Sequence, residues 1–200
     1  IFEVIVIDDG SKDATVALLK ENPGLYSKLI KMEENGGKGA AVKAGLSVAS
    51  GDYVLFQDAD LEYSPEDYLT LLEPFYKFDA DVVYGSRLTR AKVTAIVGFP
   101  NYIGNQILTF VANFLFNKIF TDIATGYKIF KRETIKNIEI TSDGFEIEPE
   151  ITAKISKNKN LRIFEVPISI NSRSYSEGKK VRWWHFFTYL YHFIKWKFIK

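Results

Sequence analysis

Short apolar runs alternate with stretches of helical periodicity along the first half of the chain. Phe2–Asp8 is a β-branched run of strand length, and residues 12–21 after it carry a helical pattern with Ser11 as the expected N-cap. The same order of strand and helix recurs through residues 28–49 and 52–77, and residues 80–86 form a further strand pattern. This alternation predicts an α/β fold with a mostly parallel sheet flanked by helices on both faces.

The second half of the chain is richer in aromatic residues. Residues 100–120 predict one long helix, and residues 126–133 predict a short strand that enters a helix. Nine of the 16 residues from Trp183 to Phe198 are aromatic, which predicts an amphipathic C-terminal helix. We expect a catalytic-type domain over residues 1–181 and an aromatic helix over residues 182–200. That helix either lies in a bilayer interface or packs on the domain or a partner chain.

Composition narrows the classes of partner. The chain has 26 basic and 25 acidic residues and a net charge of +1, so no general field for nucleic acid exists. There are no cysteines, which excludes disulfides and thiolate metal sites and fits a reducing compartment. No apolar run is long enough to predict a spanning helix.

Three predicted strands end in charged residues. Asp8 and Asp9 follow the first strand, Asp58 and Asp60 follow a later one, and Arg87 follows the strand at residues 80–86. Ligands of open α/β sheets bind at the carboxyl ends of the strands. These side chains are therefore expected to form one site.

Asp58 and Asp60 are spaced so that both carboxylates point the same way on an extended backbone. Like charges at that distance oppose each other's ionisation unless a cation joins them. Mg²⁺ or Mn²⁺ is the natural ion for such oxygen ligands, and Glu62 is positioned to extend the cluster. The alternative is a pair of solvated turn residues.

A glycine loop, Asn35–Ala41, precedes a predicted helix. Gly36 and Gly37 offer backbone amides to a phosphate, and Lys38 adds a positive charge. The loop is not a Walker A motif, and an ordinary turn is the alternative. Two interpretations are open for Asp9 as well. It either accepts a hydrogen bond from a nucleotide or closes a turn.

Further charged residues have less specific patterns. Asp122 is either a carboxylate at a reacting centre or a turn residue, while Glu146, Glu148 and Glu150 complement a helix dipole. The basic stretch that contains Arg173 and Lys179 is either a loop that closes over a diphosphate or a solvated surface.

Six segments, taken together and in order, resemble family 2 glycosyltransferases of the GT-A fold, and among them the dolichyl- and undecaprenyl-phosphate sugar synthases. The segments are VIVIDDGSKDAT, NGGKGAAVKAG, GDYVLFQDADLEYSPED, VVYGSR, TDIATGYKIFKRE and EVPISINSRSYSEGKKVRW. Two departures from the family pattern are the absence of its first central strand and the absence of an arginine within Pro100–Gln106.

The resemblance implies roles for the donor-side residues. Asp9, beside Asp8, matches the aspartate that binds the nucleobase, and the glycine loop binds the donor. Asp58 and Asp60 match the acidic pair that holds the metal and the diphosphate, with Glu62 on the metal side.

The resemblance also implies roles nearer to the reacting centre. Asp122 and Arg87 match catalytic positions, and Arg173 and Lys179 match a basic loop near the phosphates. If the acceptor were a hydroxyl, Asp122 would be the candidate general base.

The implied function is inverting transfer of a sugar from a UDP- or GDP-linked donor to a polyprenyl or dolichyl phosphate, with Mg²⁺ or Mn²⁺. The alternatives are transfer to a hydroxyl acceptor and a nucleotide-binding module without turnover. The implied location is the cytoplasmic face of a membrane, with the protein peripheral or anchored by segments outside this chain. The sugar, the nucleotide and the oligomeric state are left open.

Overall fold

The computed structural model describes residues 2–89, 98–171 and 184–199. Within them, six strands form two hydrogen-bonded sheets, a smaller one of two strands and a larger one of four. The strands are β1 (Ile5–Asp8), β2 (Lys28–Lys31), β3 (Tyr53–Leu55), β4 (Val82–Ser86), β5 (Lys128–Lys131) and β6 (Ile163–Pro167).

Strand pairing confirms the predicted α/β architecture. β1 pairs in parallel with β2, with Val6 opposite Leu29. The other four strands have the order β3-β5-β4-β6, in which β6 is parallel to β4 and β5 is antiparallel to both of its neighbours. Three strands of this larger sheet therefore run in one direction, and β1 and β3 are not hydrogen-bonded to each other.

Seven α-helices surround the strands in the described part of the chain. They are α1 (Thr15–Glu21), α2 (Lys38–Val48), α3 (Tyr68–Phe78), α4 (Phe99–Phe116), α5 (Arg132–Lys136), α6 (Ile147–Lys157) and α7 (His185–Phe198). The long helix expected near residues 100–120 and the C-terminal helix are both present.

Two helix starts illustrate what local sequence decides. Ser64 accepts a hydrogen bond from the Glu66 amide at 3.2 Å and caps the turn that leads into α3, as its sequence suggests. The expected cap at Ser11 is wrong, because α1 begins only at Thr15. The Ser11 amide instead donates to the Asp8 carboxylate, and Asp13 accepts from the Thr15 amide at 3.0 Å.

β4 is the most buried strand and divides the apolar core into two clusters. Val82 and Tyr84 contribute to the cluster under α4, α6 and α7, whereas Val83 contributes to the cluster under α3. Side chains alternate between the two faces of a strand, so one strand supports both clusters. A strand buried on both faces explains the uninterrupted apolar run in its sequence.

The C-terminal helix α7 packs on the domain along one side. Phe193 and Trp196 are buried, and the Phe193 ring lies 6.3 Å from the Phe116 ring of α4. Tyr191 and Phe187 on the other side are exposed. Packing on the domain, one of the two alternatives for this segment, thus accounts for one face of the helix. None of the helices in the three described ranges is both long and apolar enough to cross a membrane.

We expect Phe193→Ala to lower the free energy of unfolding by about 3–5 kcal/mol, because it removes a buried ring and leaves a cavity. Phe187→Ala on the same helix is the matched control, since that ring is exposed, and it should change the free energy by less than about 0.5 kcal/mol. Urea unfolding followed by circular dichroism measures both. Equal, small losses would show that α7 does not share the core.

Candidate active site

Asp8 and Asp9 end β1 and differ in their surroundings. Asp8 is 4% exposed, and its carboxylate accepts from the Ser11 amide, so it closes the turn after the strand. The structure therefore gives Asp8 a role in closing this turn, and its expected contact with substrate stays a prediction. Asp9 accepts from the amides of Gly36 at 2.7 Å and Gly37 at 2.9 Å. In this structure those two amides donate to Asp9, and their expected contact with a phosphate stays a prediction.

The glycines of this loop have a packing reason. Gly37 has a φ of 91°, which L side chains rarely adopt. A Cβ on Gly39 would lie 2.3 Å from the Ser142 carbonyl oxygen, so the start of α2 rests directly on the loop at residues 142–144. The Ala40 amide donates to the Asp143 carbonyl at 3.0 Å across this contact.

Glu150 holds the loop at residues 142–144 in place through hydrogen bonds at its start. Its carboxylate accepts from the amides of Thr141 at 2.9 Å and Ser142 at 2.8 Å, and it pairs with Lys154 at 2.6 Å. Burial disfavours the charged form of Glu150, but these hydrogen bonds outweigh burial and lower its pKa to about 2. The loop beneath α2 is thus fixed by an ionised side chain.

Lys38, at the start of α2, lies between two carboxylates. Its Nζ is 2.8 Å from Asp58 Oδ2 and 2.9 Å from Glu148 Oε1. The other oxygen of Glu148 is 2.5 Å from the Nζ of Lys128, whose side chain is 1% exposed. The four side chains form a charge chain of alternating sign, Asp58–Lys38–Glu148–Lys128.

Electrostatics keep the middle of this charge chain ionised. Burial opposes the charge on Lys38, but Glu148 and Asp58 outweigh it and raise the pKa of Lys38. Burial likewise opposes the charge on Glu148, but Lys128 and Lys38 lower its pKa to about 2. The sequence interpretation of Glu148 and Glu150 as helix-dipole complements was incomplete, because it gave no reason for their burial beside specific cations.

Gln57 holds the backbone at Asp58 and was missed by the sequence analysis. Its side-chain oxygen accepts from the hydroxyls of Tyr68 at 3.0 Å and Tyr127 at 2.5 Å. Its Nε2 donates to the Asp58 carbonyl at 2.8 Å. Its only signal in the sequence is adjacency to Asp58.

The turn around Asp60 corrects one premise of the metal prediction. β3 ends at Leu55, so Asp58 and Asp60 lie beyond the extended backbone that was assumed. Asp60 accepts from the Glu62 amide at 3.1 Å around Leu61, whose φ is 59°. Among the described residues, no three acidic or histidine side chains gather as a metal cluster, so the structure does not bring Glu62 in as a third ligand.

The donor set still fits a hard divalent ion. Asp58 and Asp60 supply carboxylate oxygens, the ligands that Mg²⁺ and Mn²⁺ prefer. Mg²⁺ commonly takes only one or two carboxylates from a protein and completes its shell with substrate phosphates and water.

Arg87 and Asp122 form the second charged unit of the site. Arg87 donates to Asp122 through its amide at 3.1 Å, its Nε at 2.6 Å and its Nη2 at 2.7 Å. Nη2 also donates to the Ala124 carbonyl at 2.9 Å. Asn105 of α4 adds a donor to Asp122 at 2.9 Å.

Asp122 is poorly suited to abstract a proton. Burial opposes its ionisation, but Arg87 and Asn105 outweigh burial and lower its pKa. Its oxygens accept four hydrogen bonds, so the carboxylate fixes Arg87 better than it serves as a base. Asn105 was not singled out from the sequence, although it lies in the segment that lacks the family's arginine.

The two charged units meet at one place. Gly126 donates to the Tyr63 hydroxyl at 2.8 Å, and a Cβ on Gly126 would lie 3.4 Å from Asp58 Oδ2. Arg87 and Asp122 both act electrostatically on the Tyr63 phenol. The structure therefore brings Asp58 and the Arg87–Asp122 pair to the same edge. Arg173 and Lys179 lie outside the described residues.

A family model described as glycosyl transferase family 2 matches residues 1–139. The fold and the strand-end charges agree with it, and the chain belongs to this family. Glycosyltransferase AglJ of Haloferax volcanii is 32% identical over 85% of this chain and 54% of its own length. A dolichol-phosphate mannosyltransferase of Pyrococcus furiosus is 28% identical over 98% of this chain and 56% of its own. The chain thus spans about half the length of these relatives.

A solved structure supports the GT-A fold. Glucosyl-3-phosphoglycerate synthase from Mycobacterium tuberculosis, in a complex with Mn²⁺, uridine diphosphate and phosphoglyceric acid, superposes with a TM-score of 0.72 at 18% identity. The match covers 100% of this chain and 69% of that one.

We expect Asp122→Asn to lower the free energy of unfolding at neutral pH by about 3–5 kcal/mol, because it leaves Arg87 buried without its counter-charge. The folded-state pKa of Asp122 is lowered, so its contribution is present above the unfolded pKa and is lost as pH falls through the folded pKa. The difference from the unmodified chain should therefore shrink in acid.

Asp79→Asn is the matched control for this experiment. Asp79 pairs with Lys131 and Arg162 on the surface, with its own side chain 73% exposed, so the substitution should leave the unfolding midpoint almost unchanged. Thermal unfolding across the pH range measures both variants. A pH-independent loss for Asp122→Asn would mean that packing, and not charge, explains the effect.

Proposed function

We propose that this chain is the catalytic part of an inverting glycosyltransferase that moves a sugar from a nucleotide donor to a polyprenyl phosphate. The observation that carries the proposal is a pair of cations near Tyr63 and Gly126, namely Lys38 paired with Asp58 and Arg87 paired with Asp122. One cation lies beside the acidic pair and suits the donor diphosphate. The other suits a second phosphate, that of the acceptor.

The donor side is assigned from the charges that the site presents. Asp58 and Asp60 would hold Mg²⁺ or Mn²⁺, which supplies Lewis-acid stabilisation of the leaving nucleoside diphosphate. Lys38 adds a fixed ammonium next to that diphosphate. In this proposal Asp9 also contributes to nucleotide binding, because it holds the glycine loop through the amides of Gly36 and Gly37.

The acceptor is assigned from the state of Asp122. A phosphate acceptor is already ionised at neutral pH and needs no strong base. A hydroxyl acceptor needs one, but the carboxylate of Asp122 is saturated by hydrogen bonds and its pKa is lowered. The name of the mannosyltransferase relative, which acts on dolichol phosphate, supports the same choice.

An exposed apolar surface supports a lipid acceptor. α4 and α7 run parallel, since Gly104 faces Phe186 near one end and Lys197 donates to the Leu115 carbonyl near the other. Each helix exposes one row of apolar side chains at helical spacing. The paired apolar rows consist of Ile103, Ile107, Phe110 and Phe114 on α4 and Phe187, Tyr191, Ile194 and Phe198 on α7.

The two rows lie on the same side of the helix pair. On α4 the exposed row is rotated about a quarter of a turn around the helix axis from Gly104 and Leu115, which contact α7. On α7 the exposed row is rotated by a similar amount, in the opposite sense, from Phe186 and Lys197, which contact α4. Aromatic rings at such a surface suit a membrane interface, and Lys195 and Lys197 suit anionic headgroups. We propose the cytoplasmic face of a membrane as the location, which is the location that the resemblance implies.

Incubating the full-length protein with a panel of UDP- and GDP-sugars, polyprenyl phosphate and Mn²⁺ tests the reaction. We expect a labelled lipid product, and we expect Asp60→Asn to abolish it without changing the circular dichroism spectrum. Product formed only with a hydroxyl acceptor would support the alternative transferase. Donor binding without release of a nucleoside diphosphate would leave a binding module.

Liposome flotation tests the membrane surface. Replacing Phe187, Tyr191 and Phe198 by Ser should reduce flotation on vesicles that contain anionic lipid, and salt should weaken binding of the unmodified chain. The control replaces Leu69 and Tyr76 of α3, which are also exposed, by Ser. A chain cut at Arg182 is unsuitable because it removes Phe193 and Trp196 from the core. Equal flotation of both variants would mean that another part of the protein, or a partner, covers the paired apolar rows.

A further inference from the structure

Glu148 takes no part in the proposed sugar transfer, although both of its carboxylate oxygens are held by lysines of the charge chain. It lies in the first turn of α6, and its two oxygens contact two different lysines. A carboxylate that only complements a helix dipole would be solvated and would need neither contact. The position of Glu148 therefore calls for a more specific explanation.

The two lysines differ in their freedom. Lys128 is 1% exposed and also donates to the Thr125 carbonyl at 2.5 Å, so it is fixed on both sides. Lys38 reaches from Glu148 to Asp58, whose side chain is 39% exposed. Glu148 is thus a partner of Lys38 that is held in place by a buried lysine, whereas Asp58 is a partner that is partly exposed to solvent.

We infer that Glu148 is a positioning residue that retains Lys38 when Asp58 exchanges the lysine for a divalent cation. This inference rests on the proposed function, in which Asp58 and Asp60 bind Mg²⁺ or Mn²⁺. A cation that arrives at Asp58 repels the ammonium of Lys38. Glu148 offers that ammonium a second counter-charge, so Lys38 leaves Asp58 without becoming an unpaired charge and stays beside the site.

Without the charge on Glu148, Asp58 is the only carboxylate within the described ranges that contacts Lys38. The lysine then competes with the incoming ion for the same oxygens, because a buried ammonium without a counter-charge is costly. Tyr189 of α7 also interacts electrostatically with Glu148, Lys38 and Asp58. Burial raises the pKa of its phenol, so Tyr189 is uncharged near neutral pH and cannot replace Glu148 as a counter-charge. Binding of the cation should therefore weaken when Glu148 is neutral.

Titration with Mn²⁺ alone, followed by the electron paramagnetic resonance of the free ion, measures this competition without turnover. We expect Glu148→Gln to weaken Mn²⁺ affinity about ten-fold, which corresponds to about 1.4 kcal/mol. The variant Lys128→Met with Glu148→Gln removes the lysine that Glu148→Gln would leave buried without a counter-charge. It should show the same weakening while remaining folded.

Lys38→Met provides the decisive background. If Glu148 acts through Lys38, then Lys38→Met alone does not weaken Mn²⁺ binding, and adding Glu148→Gln to it changes nothing further. A general structural effect would persist in both backgrounds, and this result would overturn the inference. Unchanged Mn²⁺ affinity in Glu148→Gln would also overturn it while leaving the proposed function intact. Absence of Mn²⁺ binding in the unmodified chain would instead overturn the proposed metal site together with the inference.

Discussion

The requirement that a buried charge has a partner governs the arrangement of this site. Lys38, Lys128 and Arg87 are each largely buried, and each contacts a carboxylate at hydrogen-bonding distance. An unpaired charge in such surroundings would cost several kcal/mol. The paired residues come from different parts of the chain. Their ion pairs therefore hold α2, α6, β5 and the turn after β3 together at one edge of the sheet.

The glycine loop meets this requirement through packing. Gly37 and Gly39 let the start of α2 approach the loop at residues 142–144, and Glu150 fixes that loop with an ionised side chain. This contact sets where Lys38 leaves the helix. Asp9 accepts hydrogen bonds from the Gly36 and Gly37 amides of this loop. Charged side chains therefore dominate the donor side of the site, and the backbone supports them.

The sequence predicted those features that depend on local pattern. The alternation of strands and helices predicted the α/β fold, and the rule for strand ends predicted that Asp8, Asp9, Asp58, Asp60 and Arg87 lie at one edge. The Ser11 cap was wrong because α1 begins only at Thr15, four residues further on. The convergence of Asp58 and Asp60 was argued for an extended strand that in fact ends at Leu55.

Other features depend on contacts between residues far apart in the sequence. Glu148 meets Lys38, Gln57 meets Tyr127, and Asn105 meets Asp122 only once the fold has formed. Nothing in the local sequence distinguishes Glu148, in the first turn of α6, from Glu146, which lies just before the same helix. The residues that orient the site were therefore inaccessible to pattern analysis, whereas several of those that line it were not.

A crystal structure of the protein with Mn²⁺ and a nucleoside diphosphate tests the central claim most directly. We predict Mn²⁺ bound to Asp58, with Lys38 Nζ withdrawn from that carboxylate and still about 3 Å from Glu148. We also predict an unchanged contact between Glu148 and Lys128. Mn²⁺ bound elsewhere while Lys38 remains paired with Asp58 would contradict the account.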